Sequence, residues 1–202
     1  MRQLIVRAFN ISLDGVNAEF GTEYFNWCMS GIDPRVSAAS QHPLAPDESQ
    51  LDPTGELYQR ADALIMGRHS YENMCTHFAP GGDQPDHPWT GIFNAARKVV
   101  FSRTLKTADW ANTTIAAGDT AEEIDQLRRG GDGPIVVYGG ISFWHSLMRL
   151  DLIDYFYLSL LPYVAGEGRR LFEDVGRYGR LDLVSTTTLS NGVLDLEYRR
   201  RR

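Results

Sequence analysis

Ala63-Leu64-Ile65-Met66-Gly67-Arg68-His69-Ser70-Tyr71-Glu72 and, further along the chain, Ile135-Val136-Val137-Tyr138-Gly139-Gly140-Ile141-Ser142-Phe143 share one design. Each is a short apolar run that stops at glycine and gives way to a helix-like pattern. A strand that turns directly into a helix leaves unpaired backbone N–H groups at the helix start. Those groups and the helix dipole favour an anion, and glycine lets a phosphate approach the backbone. Two such turns can grip the diphosphate of one dinucleotide from two sides. Each segment by itself is also an ordinary strand-to-helix turn. Neither is the dinucleotide fingerprint G-x-G-x-x-G or the P-loop G-x-x-x-x-G-K-[ST].

The pattern on either side of these segments is α/β. Gln3 to Phe9 reads as a first strand, followed by a turn at Asp14-Gly15. Residues 30–53 are rich in Pro, Ser, Asp and Gln and read as a long loop insertion. Gly55 to Ala61 is predicted helical and leads into the strand Ala63 to Met66. Arg68 to His77 is the next helix, and Ala79 to Gly91 a loop. Lys98 to Ser102 and Thr113 to Ala117 are short strands. Thr120-x-x-Glu123 reads as a capping box, with Gly130 as the glycine after the helix. Ile135 to Tyr138 suits the middle of a sheet. Ser142 to Leu150 is a helix and Tyr155 to Leu161 a strand. Leu181 to Leu189 and Val193 to Arg199 flank the hairpin turn Ser190-Asn191-Gly192. The alternation predicts a single α/β domain over 1–202, with a mostly parallel sheet and an antiparallel C-terminal edge.

Composition narrows the function. The chain has 202 residues, 43% hydrophobic and 23% charged, with a net charge of −6. Its pI is about 5.3. That balance argues against a nucleic-acid footprint. The one basic run, Arg199 to Arg202, reads as a solvated tail. Cys28 and Cys75 give no disulfide framework and suggest a reducing compartment. No apolar stretch matches a signal peptide or a membrane span, so a cytoplasmic protein is expected. His69, Cys75 and His77 match no common zinc spacing, and no metal is expected.

With these elements in order, the chain resembles the dihydrofolate reductase-like superfamily. The nearest branch in that resemblance is the stand-alone relatives of the reductase domain of the bifunctional riboflavin-biosynthesis deaminase/reductase. Phe9-Asn10-Ile11-Ser12-Leu13-Asp14-Gly15, Met66 to Glu72, Val100-Phe101-Ser102-Arg103 and Val137-Tyr138-Gly139-Gly140 carry it. Leu158 to Pro162, Gly166-Glu167-Gly168 and Leu171-Phe172 support it. The resemblance implies a dihydrofolate reductase-like fold that binds NADPH and passes its hydride to a conjugated heterocycle, without metal or flavin. It implies that the backbone of Phe9 and Asn10 holds the nicotinamide carboxamide. Gly67, Arg68, His69 and Ser70 would form the first phosphate turn, and Gly139, Gly140, Ile141, Ser142 and Phe143 the second. Phe101, Ser102 and Arg103 would receive the adenosine ribose and its 2′-phosphate. The chemistry fits, since arginine offers a charge-assisted fork of donors. Arg68 at a helix start opposes the dipole, a conflict that a bound phosphate removes.

The substrate side is less determined. No acid aligns with the carboxylate that the folate enzymes use on the helix after the first loop; Asp33 is near, beside Gly31 and Pro34. Arg97 lies one position from the arginine that those enzymes use for the glutamate tail. Tyr138 stands where the riboflavin-pathway reductase carries a glutamate, and Arg7 and Arg35 are the cations available for a ribose phosphate. Three residues are catalytic candidates. Asp14 either positions substrate and relays a proton, or shapes the turn with Gly15. Tyr138 stacks or donates a proton at the strand end, or belongs to the core. Ser159 faces substrate, or is a buried, satisfied hydroxyl. Phe25 and Trp27 wall an aromatic pocket or join the core.

The expected function is an NADPH-dependent reductase of a small pterin- or pyrimidine-like heterocycle. The helix Ser142 to Leu150 and the terminal hairpin are the surfaces expected to support a homodimer. Rival readings are a dihydrofolate reductase, the 5-amino-6-(5-phosphoribosylamino)uracil reductase itself, and a nucleotide-binding module that holds NADP without catalysis.

Overall fold

The computed structural model describes residues 2–19, 21–32, 53–189 and 192–202. Most of the predicted 30–53 loop, with Asp33 and Arg35, lies outside the described residues, as do Ser190 and Asn191 of the predicted hairpin turn. The chain forms two compact units, Met1–Arg7 with Asp52–Asp154, and Ala8–Leu51 with Tyr155–Arg202. Strand β1 (Leu4–Ile11) begins in the first and ends in the second.

The first unit is parallel α/β. Strands β2 (Ala63–Gly67), β3 (Lys98–Phe101), β4 (Thr113–Ala116) and β5 (Ile135–Val137) join the first half of β1 in the order β4-β3-β2-β5-β1. Every pairing is parallel, with Ile65 opposite both Val99 and Val137, and Ile5 opposite Val136. Leu4 to Val6, Ala63 to Met66 and Ile135 to Val137 are all buried. Strands covered on both faces read as unbroken apolar runs, which is why these were legible.

Helix α1 (Glu23–Ile32) belongs to the second unit; α2 (Pro53–Arg60), α3 (Arg68–Phe78), α4 (Thr90–Ala95), α5 (Thr120–Arg129) and α6 (Ile141–Arg149) belong to the first. Three expectations shift. The predicted 30–53 loop is trimmed at both ends: Ser30 to Ile32 close α1, and Pro53 opens α2, where its missing N–H costs no helix bond. Asp119, not Thr120, caps α5, accepting from the amides of Ala121 and Glu122 at 2.9 and 3.2 Å. Gly130 keeps an ordinary φ of −117°, and the left-handed residue is Gly131 at 92°.

Helix α4 was not expected in the glycine- and proline-rich stretch that precedes β3. Its explanation is Lys98, a fully buried lysine in β3. Lys98 Nζ donates to the carbonyls of Phe93 and Ala96 at 2.7 and 2.8 Å, and sits 4.5 Å over the Trp110 ring. A side chain thus satisfies the carbonyls that a short helix leaves orphaned at its end. Burial pushes the amine down to about 8 from 10.5. Between those two values the unfolded chain holds a proton that the folded chain has released, so the Lys98 contribution to stability rises with pH across that window. Urea unfolding of the wild type and Lys98→Met, compared from pH 7 to 10.5, is expected to show the difference moving in favour of the wild type above pH 8. A difference independent of pH would contradict this assignment.

Two buried arginines tie the unit together. Arg2 donates to the carbonyls of Gly133 and Leu127 and pairs with Asp62. Arg128 pairs with Asp154 at 2.7 Å.

The second unit is antiparallel apart from β1. Strands β6 (Tyr155–Leu160), β7 (Leu181–Thr188) and β8 (Leu194–Arg200) follow β1 in the order β1-β6-β8-β7. Both β6 and β7 pair antiparallel with β8, giving the C-terminal hairpin. Val16, Tyr24, Cys28, Leu161 and Val193 form a core cluster in this unit. Arg199 and Arg200 lie within β8, not in a solvated tail. Asp182, directly across from Arg199, gathers Arg180, Arg199 and Arg201 at 3.6, 3.8 and 3.0 Å. Both cysteines are free thiols.

Of the two surfaces expected to support a homodimer, α6 buries Ile141, Trp144, Leu147 and Met148. On the hairpin, Leu183 and Val184 of β7 are exposed. Among the described residues, no helix is long and apolar enough to cross a membrane.

Candidate functional site

The two glycine turns lie side by side in the first unit. Gly67 is the cap of α3 and Gly140 the cap of α6, and neither helix start has a side-chain hydrogen bond to its cap. A β-carbon placed on Gly67 would stand 3.7 Å from Phe143 Cβ. One placed on Gly139 or Gly140 would stand 3.3 or 2.7 Å from Ser70 Oγ. Ser70 is the third residue of α3 and Phe143 the third of α6. The third residue of each helix therefore rests on the glycine turn that starts the other. Two helix N-termini that converge with no side-chain cap form an electropositive cradle built from backbone.

Gly139 and Gly140 have φ of 54° and 80°, values where glycine avoids the strain of a side chain. Phe143 also packs on Phe101, the last residue of β3, with ring centroids 5.1 Å apart. Sequence, turn and packing thus bring Gly67, Ser70, Phe101, Gly139, Gly140 and Phe143 into one place.

Arg68 and His69 point away from the core, with side chains 41% and 89% exposed. Glu72 approaches both, at 3.7 and 3.9 Å. The conflict between Arg68 and the helix dipole is thus eased within the protein. The spacing of four residues between Arg68 and Glu72 was readable in the sequence as an ion pair on one helix face.

The loop after β3 is fixed by Ser102. Its backbone N–H donates to Ala116 at 3.1 Å, and its Oγ accepts from the amides of Thr104 and Leu105 at 3.2 and 3.0 Å. The hydroxyl also lies 3.4 Å from that of Thr104. Arg103 is exposed and pairs with no carboxylate among the described residues. Arg97 by contrast lies 4.0 Å from Asp62.

Tyr138 follows β5 and turns its ring toward Phe93 and Tyr58, at 5.4 and 5.8 Å. Burial pushes its phenol up to about 12. That places it in an aromatic cluster, with a phenol that holds its proton at neutral pH.

The remaining sequence candidates lie in the second unit. Asn10 is buried in β1 with φ of 74°, an uncommon value for a residue with a side chain. Its carbonyl accepts from Ala18 at 3.1 Å. The backbone of Phe9 lies in the same strand. Ser159 of β6 donates to Asp195, directly across on β8. That bond fits the reading of Ser159 as a satisfied hydroxyl.

Asp14 accepts from Ser12 Oγ at 2.6 Å and from the amides of Ala165 and Gly166 at 3.0 and 2.9 Å, with Arg170 4.0 Å away. The Ser12 hydroxyl and the Ala165 amide bring its carboxyl down to about 2. It is ionised at neutral pH, holds the first loop to the 163–171 segment, and has no proton to give. Its contribution is complete above the ordinary carboxyl value of 3.8 and fades as pH falls toward 2. In Asp14→Ala, the amides of Ala165 and Gly166 are expected to lose hydrogen-exchange protection at pH 7. Unchanged protection would mean that other contacts hold the loop. These amide partners carry no sequence signal, so they were not foreseen. Trp27 and Tyr163 pack together at 4.5 Å, with Tyr24 stacked on Tyr163 at 4.9 Å. Trp27 thus joins the rim of the core around Tyr24.

Comparison with known proteins agrees with this architecture. The uncharacterized protein YyaP of Bacillus subtilis (strain 168) is 33% identical over 147 residues, 71% of this chain and 76% of its own length. A putative riboflavin biosynthesis protein from Shewanella sp. PV-4 has a similar structure, with a TM-score of 0.73 at 20% identity over 99% of each chain. Dihydrofolate reductase from Enterococcus faecalis, solved with NADP(H) and RAB-propyl, matches with a TM-score of 0.57 at 15% identity, over 99% of this chain and 97% of its own. These likenesses make the fold dihydrofolate reductase-like. The family model for the RibD C-terminal domain matches residues 3–194, and the chain therefore belongs to the RibD C-terminal domain family.

Proposed function

We propose that the chain is an NADPH-dependent reductase that passes a hydride to a small pterin- or pyrimidine-like heterocycle. The observation that carries this reading is the pair of uncapped, left-handed or extended glycine turns that meet across Ser70 and Phe143. The residues fit a diphosphate: a β-carbon is excluded at Gly140 by packing, the cradle is lined with backbone N–H groups, and Arg68 stands at its edge. Gly67 to Ser70 and Gly139 to Phe143 hold the diphosphate. Ser102 and Arg103 take the 2′-phosphate, and Phe101 flanks the adenosine. NADPH, when bound, supplies the hydride; the turns hold and orient it. The relatives point the same way. The Shewanella structure is of a putative riboflavin biosynthesis protein, and the Enterococcus faecalis structure is of a reductase with NADP(H).

Titration of the purified protein with NADPH and NADH tests the reading. Micromolar NADPH binding is expected, with NADH at least about tenfold weaker, a difference of about 1.4 kcal/mol. Binding of neither nucleotide would overturn it.

A second reading, a module that holds NADP without catalysis, is favoured by one observation. Asp14 is ionised, Tyr138 is a phenol raised to about 12 in an aromatic cluster, and Ser159 is bound to Asp195. The two readings separate on NADPH consumption across a panel of pterins, pyrimidinones and quinoid compounds. Protein-dependent turnover with any of them eliminates the module.

A further inference from the structure

The contact between the turns is reciprocal but unequal. Phe143 meets Gly67 at 3.7 Å, an ordinary contact, and Gly67 has φ of −80°, which any residue adopts. The protein itself would accept a methyl group at Gly67. At Gly140 it would not. A β-carbon there would stand 2.7 Å from Ser70 Oγ, and its next neighbour, Phe143 Cβ, is at 3.9 Å. The Ser70 hydroxyl is therefore the group that a side chain on the second turn would meet first. The same oxygen is the nearest atom to a β-carbon on Gly139, at 3.3 Å.

We propose that Ser70 is a positioning residue, the spacer whose Oγ fixes the gap between the two glycine turns and so the width of the cradle for a dinucleotide diphosphate. This rests on the reading of the turns as a diphosphate site. Serine suits the task because it is the smallest side chain that carries an oxygen to that point. Alanine withdraws the contact, and a bulkier side chain drives the turns apart. The two sites are distant in sequence, and only the packing of α3 beside α6 couples them.

A double-mutant cycle decides the matter. Ser70→Ala, Gly140→Ala and the double variant are compared by NADPH dissociation constant and by melting temperature without ligand. Ser70→Ala alone is expected to weaken NADPH binding by about threefold to tenfold with its melting temperature within about 2 °C, a split that a merely structural role would not give. Gly140→Ala is expected to cost about thirtyfold with Ser70 present and about fivefold in the Ser70→Ala background, because the residual cost is the positive φ alone. An equal penalty in the two backgrounds overturns the proposal. If Gly140→Ala does not fold, Gly139→Ala gives the same comparison against the same oxygen. If the wild type binds no dinucleotide, the functional reading fails. The melting-temperature cycle then decides the spacer on its own: a smaller Gly140→Ala penalty in the Ser70→Ala background supports it, and an equal one overturns it.

Discussion

Replacing Arg103 by alanine is expected to weaken NADPH binding by about tenfold to a hundredfold while NADH binding stays within about twofold. The size follows from a charge-assisted hydrogen bond to a dianionic phosphate, about 1.5–3 kcal/mol, at about 1.4 kcal/mol per decade. The choice of Arg103 follows from what the other arginines nearby are doing. Arg68 has Glu72 at 3.7 Å, and Arg97 has Asp62 at 4.0 Å. Arg103 is exposed on a loop whose backbone is fixed by Ser102, with no carboxylate partner among the described residues. An anchored backbone with an unclaimed guanidinium is what a phosphate contact requires. An exposed contact is screened, so the preference for NADPH should also shrink between 50 and 500 mM salt, on the order of a Debye length falling from about 14 to 4 Å. Parallel titrations of the two nucleotides at both salt concentrations are the check. Equal loss for NADPH and NADH would make Arg103 a structural loop residue, and no loss for either would remove it from the site.

The parts of this molecule that could be read from sequence are those whose cause is local. Ala63 to Met66 and Ile135 to Val137 are apolar without alternation because both faces are covered, and glycine follows because the chain must turn at once into a helix. That places the cradle. What could not be read is what distant groups do to one another. Helix α4 exists in an unpromising stretch because Lys98 closes its carbonyl end from a neighbouring strand. Asp14 is tied to amides 151 and 152 residues away, and an amide is the same in every residue. Ser159 has Asp195 as its partner only through the register of β6 on β8. The cap of α5 fell one residue from its predicted place because Asp119 and Thr120 are both competent caps. Ser70 and Gly140 each look ordinary until the two helices are packed together. The two glycine turns were therefore legible, whereas the surroundings of Asp14, Tyr138 and Ser159, which depend on distant groups, were not.

The same dependence on environment governs the largest stability effect expected, that of Asp154→Ala. Asp154 Oδ2 accepts from Arg128 Nη2 at 2.7 Å and from the Leu4 amide at 2.8 Å, at the start of β1. Its own amide donates to Leu4 at 2.9 Å. Arg128 is 6% exposed, and its Nε already lacks a partner, so without Asp154 the buried cation keeps only the Leu152 carbonyl at 2.6 Å. A buried charge left without its counter-ion costs about 3–5 kcal/mol. Leu4 is fully buried, so its freed amide adds to that cost. Against a typical total of about 5–15 kcal/mol, this is a large fraction, and the urea midpoint should fall accordingly. The pair is asymmetric. Asp154 is 17% exposed, so in Arg128→Met the orphaned carboxylate still reaches water and keeps the Leu4 amide. Arg128→Met is therefore expected to cost at least about 1 kcal/mol less than Asp154→Ala. The double variant Arg128→Met/Asp154→Ala is expected to be more stable than Asp154→Ala alone, because it removes the charge that the single substitution strands. A double variant less stable than Asp154→Ala would show that the loss comes from the Leu4 amide and the packing around it, and not from a buried arginine without its carboxylate.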